Sequence, residues 1–387
     1  HPEYPLGLAT LVDRHGRDAA LRFQHAAIDA VHEVGRVTDA EGIDCHYQLG
    51  GRLLLARTPL QAERARQDVA HEHECGLTDD DVSYLDAEEA RHRTGMSRVH
   101  GASYLRTAAA LQPALLVHGL AAAAERLGVR ILEGADVIEM TPGVVTARAG
   151  DRTVTVRAEH VLRATEGYTR DLPGEGRTLI PLYSLMIATE PLSPTVLDEV
   201  GLQEREVFAD YGHMVIYGQR TADGRIAFGG RGAPYHYASG IRPEYDADDV
   251  VHGHLARLLL ELYPVLRDAA ITHRWGGPLG VPRDWRPSVT YDPRTRTGFA
   301  GGYVGDGVAL SNLAGRTLAE LVLGEVTERT DLPWVQHRWR RWEPEPLRFV
   351  GVNVGLWLTR SADREEARTG KPSMRAWLGN RLRGKRG

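Results

Sequence analysis

Gly298-Phe-Ala-Gly-Gly-Tyr-Val-Gly-Asp-Gly-Val-Ala-Leu310, followed closely by Gly315-Arg-Thr-Leu-Ala-Glu-Leu321, is the stretch from which the rest of the chain is read. An apolar strand runs into a glycine cluster, and a helix starts within a few residues. Gly302, Gly305 and Gly307 have no Cβ, so the backbone can approach a flat ligand there and turn its amides toward it. Tyr303, Val304, Asp306 and Val308 stand between and after them. The first turn of the following helix, Val308 to Asn312, favours electron-rich atoms through its unpaired N–H groups. Any strand–turn–helix needs glycine, so the segment by itself supports a binding turn and a plain structural turn equally.

Working outward, Trp275-Gly-Gly-Pro-Leu-Gly280 and Asp284-Trp-Arg-Pro287 lead into the turn. Before them, Leu185–Thr189, Met214–Tyr217 and Arg225–Phe228 alternate as antiparallel strands with a turn at Ala222-Asp-Gly224, and a helix over 248–263 stops at Pro264. Further upstream, Leu111–Gly128 reads as a helix with Pro113 in its first turn. A buried strand Val129–Leu132 is expected next, then a strand Val137–Met140 and a hairpin Val144–Ala149/Thr153–Val156 around Gly150-Asp151. The apolar run Val161–Ala164 enters Thr165-Glu-Gly-Tyr168. At the start of the chain, helices are expected over Gly16–Thr38 and Pro59–Cys75, flanking a strand-like Cys45–Ala56 broken at Gly50–Gly51. The order predicts a mixed α/β protein in which nucleotide-binding α/β layers interleave with an antiparallel sheet.

Composition bounds the chemistry. The 387 residues are 42% hydrophobic and 26% charged, which suits a packed protein rather than a disordered one. Lys and Arg number 47 against 52 Asp and Glu, so no global positive field argues for nucleic acid. No apolar run is long enough for a membrane span. Two cysteines, Cys45 and Cys75, exclude a disulfide scaffold and fit a reduced, cytoplasmic compartment. Lysine occurs only at Lys371 and Lys385, so no earlier lysine can act as a Schiff-base amine or phosphate-loop cation. That removes pyridoxal-phosphate enzymes and P-loop NTPases. His71-Glu-His-Glu-Cys75 puts His71 and Cys75 on one helix face but brings no further ligands, so no metal site is expected.

Taken together, the glycine turn and its surroundings resemble the D-amino-acid oxidase superfamily of FAD-dependent oxidoreductases, on its gamma-glutamylputrescine oxidase-like and glycine oxidase-like branch. The matches run in the family's order. Leu111-Gln-Pro113, Gly128-Val-Arg-Ile131 and Ala135-Asp-Val137 resemble its helix and the strand whose Val137 backbone holds adenine. Ala164-Thr-Glu-Gly-Tyr168 resembles its Ala-Thr-Gly-Ala-Trp turn, which implies contacts from Ala164, Thr165 and Gly167. Tyr217, Asp223-Gly-Arg-Ile226 and Phe228-Gly-Gly-Arg231 resemble its substrate-sheet strands. The resemblance implies FAD, hydride transfer from a C–H bond beside an amine nitrogen, and a small amine or amino-acid substrate. Tyr217 and Arg231 are the substrate-positioning candidates, Arg231 as a bidentate carboxylate partner. Trp275 is expected to wall the ring, and His213 and His236 are bases only by default.

Two departures qualify the expectation. No G-x-G-x-x-G occurs anywhere, so the nucleotide-binding domain is expected to be N-terminally incomplete, and FAD binding by this chain weak or absent. The family's Gly-His-Gly is Gly305-Asp306-Gly307 here, which places a negative charge beside the ring. The expected division assigns 1–41, 99–184 and 273–330 to the FAD-binding domain and 42–98 and 185–272 to the substrate domain. Residues 331–387 form a tail in which Trp339-Arg-Arg-Trp-Glu343 and the arginines at 381–386 mix aromatic and basic residues. The reading preferred over a nucleic-acid or membrane surface is that the tryptophans pack on the body and the last arginines are solvated. The oligomeric state stays open. The competing readings are a non-catalytic remnant that no longer holds FAD, and a flavin subunit whose phosphate-binding half comes from another chain.

Overall fold

The long strands Leu179–Thr189 and Ile271–Pro282 pair antiparallel along nearly their whole length and form one side of an eight-stranded sheet. A computed structural model describes residues 1–383 apart from 231 and 233, with side chains up to 379. From Ile271–Pro282 the sheet runs through Leu179–Thr189, Ile226–Gly230, Ile216–Arg220, Val207–Asp210, Arg52–Ala56 and Gly101–Leu105 to Val82–Leu85. Every neighbouring pair is antiparallel except Val207–Asp210 with Arg52–Ala56, which is parallel and joins two distant stretches of chain.

One face of this sheet is closed. Tyr183, Leu185 and Ile187 alternate toward helix Asp249–Leu262 and meet Phe208, Phe228, Leu255, Leu259 and Tyr263 in a continuous core. That alternation is what a half-buried strand dictates. The other face is covered over its far half by helix Pro59–Cys75, through Ala62 and Ala65 against Tyr211. Over the near half, Ser184, Met186 and Tyr217 remain half-exposed.

The glycine turn belongs to a smaller sheet of Ser288–Asp292, Thr297–Gly301 and Val161–Arg163, the last pair parallel. Helix Gly307–Leu323 leaves it and packs with helix Arg17–Glu41 over Phe23, Ala27, Leu310, Leu313 and Trp334. Phe23 stands edge-on to both Tyr4 and Trp334, at 5.3 and 5.2 Å between centroids. A separate meander, Asp136–Thr141, Val144–Ala149 and Arg152–Arg157, forms the hairpin expected around Gly150-Asp151. The stretch 129–132 departs from the expectation. It is not a strand, and Val129, Ile131 and Leu132 are exposed. The Val129 N–H is taken by Ala124 O at the helix end, and no neighbouring strand offers it a ladder.

The tail holds a long helix that the sequence reading did not place. Helix Leu347–Thr369 crosses the molecule, with Phe349, Val352 and Leu356 against Ile180 and Tyr235. Its far end is pinned by Asp363, whose carboxylate accepts the His213 and Met214 N–H groups at 2.7 and 2.9 Å. Trp342 packs on the body and Trp339 donates to Arg286 O, but Trp357 and Trp377 are turned outward. The arginines at 381–386 lie outside the described side chains. Among the described residues, no helix is long and apolar enough to cross a membrane.

Candidate functional site

Strand Thr297–Gly301 ends in a run of left-handed residues: Gly302 at φ 79°, Val304 at 58° and Gly305 at 106°. Gly305 pays nothing for this, whereas Val304 is held there by burial in the Ile180–Tyr235 cluster. A Cβ on Gly302 would stand 2.5 Å from the Trp339 ring, so this position requires glycine for space as well as for φ. Gly307 opens the helix, with Asp306 at its N-cap making no side-chain cap bond. The Asp306 carboxylate lies 3.4 Å from His1 Nε2 instead. Val308, in the helix's first turn, is exposed.

What fills the turn is a side chain from its own chain. Glu166 Oε1 accepts the N–H of Gly302 at 2.7 Å and of Tyr303 at 3.0 Å, and the Gly280 N–H donates to the same carboxylate. Glu166 holds a positive φ of 39° to reach them, a strain of about 1 kcal/mol. Burial raises its pKa above the usual carboxylate range, outweighing the three amides that pull it down. Tyr303 is buried beside it, and burial together with the Glu166 charge pushes its phenol up.

The remaining expected residues divide in two. Ala164, Thr165 and Gly167 are brought to the turn with Glu166. Thr165 and Thr169 share a 2.8 Å hydrogen bond, and a Cβ on Gly167 would meet Pro278 O at 2.9 Å. Val137 lies in the separate meander, opposite Ala147. Trp275 sits on the strand at the sheet's edge, 41% exposed and opposite Met186. Its backbone carbonyl is 3.2 Å from His252 Nε2. Tyr217 lies on the half-open sheet face, hydrogen-bonded to Ser184 and packed with Met186 over Gly229. Arg231, next along from that strand, lies outside the described residues.

The two default histidines have other work. His213 Nε2 is 2.8 Å from Glu366, which also takes the Arg64 guanidinium at 2.9 and 3.0 Å. His236 stacks on Tyr245 with centroids 3.4 Å apart, and burial lowers its pKa. In the His71–Cys75 stretch, Cys75 Sγ is 3.7 Å from His71 Nε2, while His73 turns away to Val82 O.

Sequence reasoning missed Glu166 and Ser184. The signal for Glu166 was present: a carboxylate standing in a glycine turn between two apolar strands has no local partner and must find one across the fold. The donor set fits an electron-rich ring edge, since two amides of one turn converge on a single oxygen. For a diphosphate, the 387 residues contain no G-x-G-x-x-G.

Comparison with known proteins bears on the family and the fold. A family model described as DAO, FAD dependent oxidoreductase, matches residues 6–321. A probable oxidoreductase, OrdL, of Rhizobium meliloti is 31% identical over 327 residues, covering 81% of this chain and 70% of its own. Gamma-glutamylputrescine oxidoreductase of Escherichia coli is 29% identical, covering 75% of this chain and 65% of its own. The crystal structure of glycine oxidase from Geobacillus kaustophilus is similar with a TM-score of 0.67 at 19% identity, covering 81% of this chain and 83% of that one. At that identity the likeness shows the fold alone.

Proposed function

The chain belongs to the DAO family of FAD-dependent oxidoreductases, and on that premise we propose that it oxidises the C–N bond of an amine or amino acid. The observation that carries the reading is the convergence of the Gly302 and Tyr303 amides on one electron-rich oxygen at the head of a helix. Bound flavin supplies the hydride acceptor. The chain's own residues bind and orient. The amides of the turn and the N-terminus of helix Gly307–Leu323 hold the ring edge, in competition with the Glu166 carboxylate. On the substrate side, the half-open face offers the Ser184–Tyr217 pair and the apolar Met186. From the sequence, Arg231 stays the candidate carboxylate partner of an amino-acid substrate.

Because the sequence lacks the diphosphate motif, uptake of FAD by a chain of this length is expected to be weak. Titration with FAD, followed by absorbance and fluorescence, checks this. Weak, saturable uptake with turnover of an amine panel, using oxygen or a dye as acceptor, supports the proposal. A stoichiometrically yellow protein straight from purification overturns the weak-binding part. Gly305→Val should abolish uptake and leave the sheet folded; unchanged uptake removes the turn from the site.

A second reading has one observation in its favour. Glu166 already satisfies the turn's amides, as it would in a binding module that has given up the cofactor. No uptake at any FAD concentration, with the fold intact, selects that reading.

A further inference from the structure

The tail reverses the charge of the molecule. Residues 347–387 carry ten Lys and Arg against three Asp and Glu, whereas the whole chain carries 47 against 52. All three acids are engaged locally. Asp363 holds the His213 and Met214 amides, Glu366 holds Arg64 and His213, and Glu365 holds the Ser373 hydroxyl. The outer surface is therefore left with exposed Arg364, Arg368 and Lys371. The same surface is apolar. Leu347, Val350, Val354 and Trp357 recur at i, i+3, i+7 and i+10, 46–65% exposed, and Arg364 and Arg368 continue that helix face. On the adjoining helix Met374–Arg383, Met374 is 76% and Trp377 51% exposed. The family match ends at residue 321, before this hairpin.

We propose that the outer face of helices Leu347–Thr369 and Met374–Arg383 is a docking surface for an anionic lipid bilayer. Single exposed apolar residues need no explanation, but a stripe of them merging into unneutralised cations does. A lipid interface receives both parts: aliphatic and indole side chains enter the acyl boundary while Lys and Arg meet lipid phosphates. A nucleic acid would pair with the cations but offers nothing to Leu347, Val350 and Val354. The contact is peripheral, since no described helix is long and apolar enough to span. It does not rest on the redox chemistry.

Flotation of the full chain with phosphatidylglycerol–phosphatidylcholine vesicles, against phosphatidylcholine alone, tests it. Binding is expected to the anionic vesicles, with a blue shift of tryptophan emission and quenching by brominated lipid. Arg364→Glu with Arg368→Glu should weaken it about tenfold or more, as each basic residue near a charged surface contributes on that scale. Trp357→Phe with Trp377→Phe should remove most of the quenching while circular dichroism stays unchanged. The proposal falls if anionic and neutral vesicles behave alike, or if the arginine reversals leave binding intact. It also falls if a polynucleotide binds more tightly than the vesicles, or if the face is covered by a second copy of the chain in solution.

Discussion

Two regions each bury a glutamate, and the two carboxylates come out on opposite sides of their ordinary pKa. At the glycine turn, Glu166 is held by backbone amides, and burial wins, so its pKa rises. At the tail clamp, burial also opposes ionisation, but the His213 hydrogen bond, the Ser373 amide and the Arg64 charge overcome it, and the Glu366 pKa falls. Dipoles alone do not repay the loss of water around a charge; dipoles with a full opposite charge do. The first arrangement is a lodging that another electron-rich group can take over. The second is a permanent clamp between the tail, helix Pro59–Cys75 and the 213–214 loop.

The clamp gives the largest expected effect. Glu366→Ala leaves Arg64 and His213 facing a buried gap and should cost about 4 kcal/mol of stability at neutral pH, read from urea unfolding. Because its folded pKa is depressed, the contribution is present above the unfolded value near 4.5 and is lost as pH falls through the folded value. A loss below about 1 kcal/mol would break the comparison. A third carboxylate sharpens it. Glu72 is raised to about 7 by burial and by the Glu3 charge, with Arg52 only partly compensating. Its folded pKa is raised, so stability should fall as pH climbs from about 4.5 to 7. Glu72→Gln should then recover about 3 kcal/mol at pH 8 and almost nothing at pH 4, seen by unfolding the two proteins side by side. The smallest effect belongs to the turn. Glu166→Gln relieves a buried charge but leaves one amide without its acceptor, and the two nearly cancel to under about 1 kcal/mol. A loss as large as the clamp's would make Glu166 a structural anchor.

How much of this the sequence carried depends on whether the cause was local. Helix Pro59–Cys75 was legible to the residue because Thr58 caps it, Pro59 starts it and Gly76 stops it in the left-handed region. The meander and the long alternating strand were legible for the same kind of reason. The tail helix was not, since Val350-Gly-Val-Asn-Val-Gly355 has poor helix propensity, and what holds it helical is the docking of Phe349, Val352 and Leu356. Val129–Leu132 failed the other way: its apolar run is strand-like, but a strand exists only where another lies beside it. In the candidate site, the glycines were readable from spacing, whereas Glu166 reaches the turn across more than 130 residues of sequence.

The parallel pairing of Arg52–Ala56 with Val207–Asp210 has a consequence for how the protein is made. As the ribosome delivers the chain, Arg52–Ala56 gains Gly101–Leu105 early but must keep its other edge open until residue 210 has emerged. At about 5–20 residues per second, that is a wait of roughly ten seconds. Through it, Leu53 and Leu55 have no Phe208 to pack against. Nascent copies are therefore most exposed to cross-pairing with one another in that interval, and slowing translation between these two strands should lower the yield of native protein more than slowing it elsewhere.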